Sequence, residues 1–187
     1  GLMVKALPSP VDRGPKKGFA PGTENEEIRE PSPDAPFSAL VFKTVADPYA
    51  GRLTLFRVFS GKLGSDGTFY NSSKETKERY NQLLHIQGKE QKPAEGAGPG
   101  DIVAVAKLKE TVTGNTLCEP DKPVEFKAAE PLLGVVSFAI APRSKGDEDK
   151  IYSSLTKLIE EDPGLKLERN EETRQTLLTG QGQVHIE

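Results

Sequence analysis

The sequence predicts two lobes, an all-β barrel followed by an incomplete α+β sandwich, and three observations lead there. Short strand-like runs recur between glycine-punctuated turns from Phe37 to about Cys118. A helical period appears once, after Pro142, and the residue types change character near Pro120 to Lys127. Many short strands joined by Gly-rich connections argue for a barrel over a helical bundle. A chain of 187 residues holds one large or two small domains, and the compositional shift favours two.

Residues 1–36 contain seven of the fifteen prolines, with Gly14, Gly18 and Gly22 among them. Proline removes backbone donors and breaks helices, so this segment reads as an extended linker, with Glu24 to Ile28 as a short strand candidate. Residues 37–122 form the predicted barrel. Its organising stretch is Phe37 to Gly61, where Ser38 to Val45 and Leu53 to Phe59 flank Asp47-Pro48-Tyr49-Ala50-Gly51-Arg52. Pro pre-sets a turn dihedral and Gly takes positive φ, so the segment reads as a connection between two strands. Neither strand alternates cleanly, as expected of strands covered on both faces. Further strands are expected in Thr68 to Asn71, Lys77 to Ile86 and Ile102 to Leu108, separated by Ser65-Asp66-Gly67, Gly96 to Gly100 and Thr113-Gly114-Asn115.

Residues 123–187 form the second predicted lobe. Gly134 to Ile140 is a strand candidate, and Ser144 with Asp147 three residues on has the form of a capping box. Ile151, Leu155, Leu158 and Ile159 then define one apolar helical face, which Asp162-Pro163-Gly164 ends. Lys166 to Arg169 and Gln175 to Thr179 read as two strands joined by a polar turn. Strand, helix, strand, strand is most of a split β-α-β-β-α-β unit.

Composition narrows the function classes. A net charge of -3 and a pI near 5.6 give no bulk attraction for nucleic acid, so any RNA contact must come from a local patch. Cys118 is the only cysteine, which excludes an internal disulfide and fits a reducing compartment. No apolar run reaches the roughly 18 residues of a membrane span, and no basic-then-apolar secretion signal is present, so a cytoplasmic protein is expected.

Several motifs carry a family resemblance. ADPYAGRLTLFRVFSG, residues 46–61, resembles the start of the second domain of bacterial translation elongation factor G, and LKETVTGNTL, residues 108–117, resembles that domain's closing segment. The likeness extends upstream to Leu7-Pro8-Ser9-Pro10 and downstream through Ile140 to Glu187. It implies a translation-factor β-barrel, domain II, followed by a truncated ferredoxin-like domain III. Gly180-Gln181-Gly182-Gln183-Val184-His185-Ile186-Glu187 is similar to the element entering the second helix of domain III. The resemblance thus implies a fragment that begins after the GTPase domain and stops inside domain III. One sheet face would then be under-covered, leaving a less stable lobe open to non-native self-association.

The same residues hold little that could do catalytic chemistry. A phosphate loop needs GxxxxGK[ST], and none occurs. Gly96-Ala97-Gly98-Pro99-Gly100 precedes a strand and reads as a barrel loop. His85 and His185 lack ligand partners at metal spacing, Cys118 reads as an inert buried thiol, and Glu160-Glu161-Asp162 reads as a solvated face. No catalytic constellation supports a stand-alone enzyme. No catalytic, nucleotide or metal site and no cofactor is therefore expected in this chain; GTP and Mg²⁺ would belong to the GTPase domain of the parent.

The resemblance implies contacts with small-subunit ribosomal RNA and protein and with the parent's own GTPase domain. Lys74, Lys77 and Arg79 lie in the polar hairpin NSSKETKERY, interleaved with Glu75 and Glu78, and either meet phosphate or form an ordinary solvated hairpin. The family commonly has an arginine where Thr76 stands. Arg52 suits phosphate or carboxylate, or anchors its turn on a carbonyl. Lys43 and Arg57, within apolar strands, read as interface or barrel-rim residues. Arg143, Lys145 and Arg174 are contact candidates in domain III, or ordinary helix-end and turn residues. The expected function is a ribosome-binding and interdomain coupling module of a translocation GTPase. A recycling or protection paralogue is the alternative, suggested by the departures within Gln87 to Gly98.

Overall fold

The computed structural model describes residues 1–187 apart from Pro48 to Ala50, Arg143 and Lys145, and the side chains of Val4 and Glu148. The described chain divides into two compact units, Gly1–Ala128 and Ala129–Glu187.

In the first unit a single helical turn, α1 (Leu2–Ala6), ends at Leu7, whose extended backbone suits the residue before Pro8. A hairpin follows, β1 (Lys16–Phe19) against β2 (Glu26–Arg29). The proline-rich segment is therefore docked rather than free. Phe19 and Glu125 exchange backbone hydrogen bonds of 2.8 Å each way, and the Arg29 guanidinium, 5% exposed, donates to the carbonyls of Lys122 at 2.8 Å and Pro123 at 3.4 Å. The close approach needs Gly18, because a Cβ there would lie 2.6 Å from Val124 Cγ2 and 2.8 Å from the Glu125 carbonyl oxygen.

The barrel strands are β3 (Ser38–Asp47), β4 (Gly51–Ser60), β5 (Leu63–Gly64), β6 (Gly67–Asn71), β7 (Thr76–Tyr80), β8 (Leu83–Gln87), β9 (Glu90–Ala94), β10 (Gly96–Ala97), β11 (Ile102–Ala106) and β12 (Thr116–Cys118). Eight of them form one antiparallel sheet in the order β7-β6-β12-β3-β4-β11-β8-β9, and β5 pairs with β10. Both ends of that sheet feed one core. Phe69 and Tyr80 stack at 5.3 Å, Phe56 meets Phe69 edge-on at 6.3 Å, and Leu83, Ala94, Val103 and Leu117 close around them. Such convergence requires the sheet to roll up, which makes it a barrel.

The irregular patterning of β3 and β4 has two causes. Register shifts at Ser38/Ala39 and Val41/Lys43 re-aim β3, a typical bulge effect. The outward side of β4 is also covered, with Leu53 and Leu55 packing against Leu84 and Ala104, and Phe59 meeting Phe126 edge-on at 5.1 Å. Lys77 to Ile86 is not one strand but two, broken at Asn81 and Gln82. The edge strand β9 falls within Gln87 to Gly98, where Lys, Glu and Pro conceal it; such residues are common on sheet edges because they discourage further pairing.

The second unit contains β13 (Val136–Ile140), α2 (Glu148–Glu161), β14 (Lys166–Arg169), β15 (Thr176–Gly180) and the short α3 (Gln183–Ile186). The sheet order is β13-β15-β14, with β15 antiparallel to both neighbours. β13 and β14 are therefore parallel with one strand between them, the split arrangement of a ferredoxin-like α+β domain. The capping box does not form. Asp147 is the N-cap of α2 without a side-chain cap bond, and its backbone N–H reaches the Ser144 carbonyl at 3.3 Å. Among the described residues of this unit, Leu178 is the only buried apolar side chain, against more than twenty in the first unit.

Candidate nucleic-acid interface

The β6–β7 hairpin is the surface on which the sequence placed three cations. Side chains alternate along a strand, so on β7 Lys77 and Arg79 face outward while Glu78 and Tyr80 face the interior. Register sets Lys77 opposite Tyr70 and Arg79 opposite Thr68. Lys74 sits at the exposed tip, where its backbone N–H donates to Asn71 Oδ1 at 3.1 Å. Asn71 is itself fixed, its Nδ2 donating to Thr111 Oγ1 at 2.9 Å and Asn115 Oδ1 at 3.0 Å.

Glu78 does not interleave with the cations as the linear sequence suggests. It is 8% exposed and accepts backbone N–H bonds from Lys109 at 2.5 Å, Glu110 at 3.1 Å and Thr111 at 3.0 Å, plus the Thr111 hydroxyl. Burial works against ionisation of this carboxyl, but the hydroxyl and the three amides outweigh it and hold Glu78 below the ordinary glutamate range. Its charge is therefore spent on the loop. Of the two acids in the hairpin only Glu75 stays at the surface, in the left-handed region at φ 53.

Arg52 takes the anchoring role. From β4 its guanidinium donates to the carbonyls of Leu108 and Lys109, the latter at 2.5 Å, and the Lys107 N–H returns a bond to the Arg52 carbonyl at 2.8 Å. Arg52 and Glu78 thus grip one loop, residues 107–111, and leave the Lys107 and Lys109 side chains exposed. Neither lysine stands out in the sequence; their signal is a loop clamped on both sides, which spacing cannot show. Arg57, half-buried on β4, lines a cleft against the proline-rich segment. Lys43 is exposed on β3.

In the second unit Arg174 is exposed with φ 56, in a turn where Asn170 Oδ1 accepts the N–H groups of Glu172 at 3.0 Å and Thr173 at 2.9 Å. Arg143 and Lys145 lie outside the described residues. Asp162 is more than part of a solvated face. Its Oδ1 accepts the Gly164 N–H at 2.8 Å, and its Oδ2 lies 2.9 Å from His185 Nε2. The Gln181 N–H donates to His185 Nδ1 at 3.1 Å, which leaves Nε2 to carry the proton toward Asp162 in the neutral ring. His85 is exposed on β8 opposite Lys92, and burial pushes the Cys118 thiol up. Among the described residues no group of three His, Cys, Asp or Glu side chains could hold a metal ion. Among them, too, no helix is long and apolar enough to cross a membrane.

Two family models match the chain. Elongation factor G domain 2 covers residues 36–120, and Elongation Factor G domain III covers residues 133–187. Among solved structures, a crystal structure of a protein from Thermus thermophilus is similar over 99% of this chain, at 32% identity and a TM-score of 0.79. This chain spans 25% of the length of that protein. Both lobes thus match successive domains of one family, in that family's order, and the chain belongs to the elongation factor G family.

Proposed function

We propose that this chain is the ribosome-binding and coupling part of a cytoplasmic translational GTPase that acts in translocation. The observation that carries the reading is the outward pair Lys77 and Arg79 on β7, with Lys74 at the hairpin tip and Glu78 withdrawn into the loop. Three cations on a rigid hairpin suit successive phosphates of small-subunit ribosomal RNA, giving salt-dependent attachment without base readout. The chemistry of GTP and Mg²⁺ belongs to a GTPase domain of the parent. The two units pass its nucleotide state on by rigid-body movement. Arg174, Arg143 and Lys145 are proposed contacts to a small-subunit ribosomal protein, with Arg52 acting through the loop it holds.

The test is the full-length factor with Lys77→Ala and Arg79→Ala together. Ribosome affinity should fall most at low salt, and the slope of log K against log salt should flatten by roughly one to two units, because two phosphate contacts are lost. An unchanged slope would remove the hairpin from the interface. A full-length factor that splits ribosomes or displaces a bound inhibitor, yet does not translocate, would replace this reading with the recycling or protection paralogue.

A further inference from the structure

A cleft of about 350 Å³ lies between the proline-rich segment and the outer side of β4. Arg13, Lys16 and Arg57 line it together with Pro10, Phe59 and Gly100. Among the described lining residues none is acidic, and none of the three cations forms an ion pair. Arg57 Nε is buried without a hydrogen-bond partner. That burial fixes the Arg57 side chain in place, and three cations around one cleft with no acid among its described lining residues repel one another, which a bound anion relieves.

The walls are built in advance. Gly100 donates to the Val58 carbonyl at 2.8 Å, and Val58 donates to the Asp101 carbonyl at 3.0 Å, so β4 holds the loop against the cleft. Gly100 has φ +96, and a Cβ there would lie 2.4 Å from Pro10 Cγ, so glycine lets the proline wall close. Lys16 Nζ is held 5.1 Å over the Phe59 ring. On the far side the segment is tied to the barrel by Arg29 and by the Phe19–Glu125 bridge.

We infer that this cleft binds a small phosphate monoester, with the phosphate on Arg13, Lys16 and Arg57 and the body of the ligand against the proline and phenylalanine walls. Three cations match a phosphate of about -1.5 to -2 better than a single carboxylate does. The volume lies at the lower end of small-ligand clefts, which run from about 300 Å³ upward, and admits a sugar phosphate or one nucleotide. A nucleic-acid backbone would need a cationic track leading out of the cleft, and the proline walls supply none. The site is also separate from the β6–β7 hairpin, because β4 lies four positions from β7 along the sheet.

The experiment titrates this chain with ribose 5-phosphate and adenosine monophosphate, and in parallel with ribose, adenosine and a short RNA lacking a terminal phosphate, following backbone amide shifts. At least one monoester should saturate in the micromolar to millimolar range, with shifts centred on residues 10–16, 57–59 and 100. Inorganic phosphate should compete. Arg57→Gln and Arg13→Gln should each weaken binding about tenfold or more, as loss of a charge-assisted contact implies, with unchanged circular dichroism. Arg13 is exposed, so its variant tests the site even where Arg57→Gln disturbs the fold. Saturation by neither monoester, equal binding of the dephosphorylated partners, RNA binding alone, or affinity unchanged in Arg13→Gln would each overturn the inference.

Discussion

Glu78 on β7 accepts the Thr111 backbone N–H at 3.0 Å, joining residues 33 apart in sequence. The same carboxylate holds Lys109 and Glu110, so one buried acid fixes the loop beneath the cationic hairpin. Glu78→Ala would strand these donors and should cost about 2–3 kcal/mol by denaturant unfolding. A loss within experimental error would mean that water replaces the carboxylate.

The same residue sets an acid dependence. Its folded pKa is depressed, so its contribution is fully present above the unfolded glutamate value of about 4.3 and is lost as pH falls through the folded value. Glu78→Gln should therefore show a shallower loss of stability than the parent chain as pH is lowered below about 5. Parallel stability curves for the two proteins would contradict this.

Gly18 lies where β1 meets residues 124–126. Gly18→Ala should lower stability by about 1–3 kcal/mol, because an added methyl cannot fit without moving backbone. Amide exchange at Phe19 and Glu125 should accelerate before the barrel core is affected. If both amides stay as protected as in the parent, the hairpin accommodates the methyl by a small shift.

The two units differ in buried apolar content, and their stabilities should differ in the same sense. Amides of Ala129–Glu187 should exchange through openings of lower free energy than those of β3, β4 and β11. Leu178→Ala, costing about 2 kcal/mol or more, should melt the second unit alone, whereas Leu117→Ala should act on the first. A single transition shared by both variants would show the units to be one cooperative block.

His185 joins α3 to the end of α2 through Asp162, and also accepts the Gln181 N–H. His185→Ala should therefore loosen Gly164 and Gln181, at a local cost of about 0.5–1.5 kcal/mol, without moving the barrel. Amide exchange resolved by residue would detect it. Unaltered protection at Gln181 would indicate that the pair is incidental.

Much of this architecture is legible from local pattern. β3 and β4 pair antiparallel with Asp47 opposite Gly51, while the Pro48 to Ala50 part of the expected turn lies outside the described residues; the i, i+4, i+7, i+8 apolar spacing gives α2, and Pro163-Gly164 ends it. Alternation along TKERY is enough to set Lys77 and Arg79 on one side. β9 is hidden because its residues obey the rules of an exposed edge rather than those of a strand interior. The Ser144 cap fails because spacing cannot ensure the dihedrals that bring a hydroxyl onto an amide. Arg52 reads equally well as a surface contact or an anchor until the Leu108 and Lys109 carbonyls come within its reach.

The amino-acid order alone determined the helical period of α2, most of the barrel strands with their glycine-marked turns, and the family, because dihedral preference and side-chain alternation act over a few residues. Only the tertiary structure decided which charges are withdrawn from solvent. Arg29 finds the Lys122 carbonyl 93 residues away, and Glu78 finds amides more than thirty residues on, by packing that no local pattern encodes. A buried charge persists only where distant backbone groups replace its hydration, and bringing them together is what closing the barrel does.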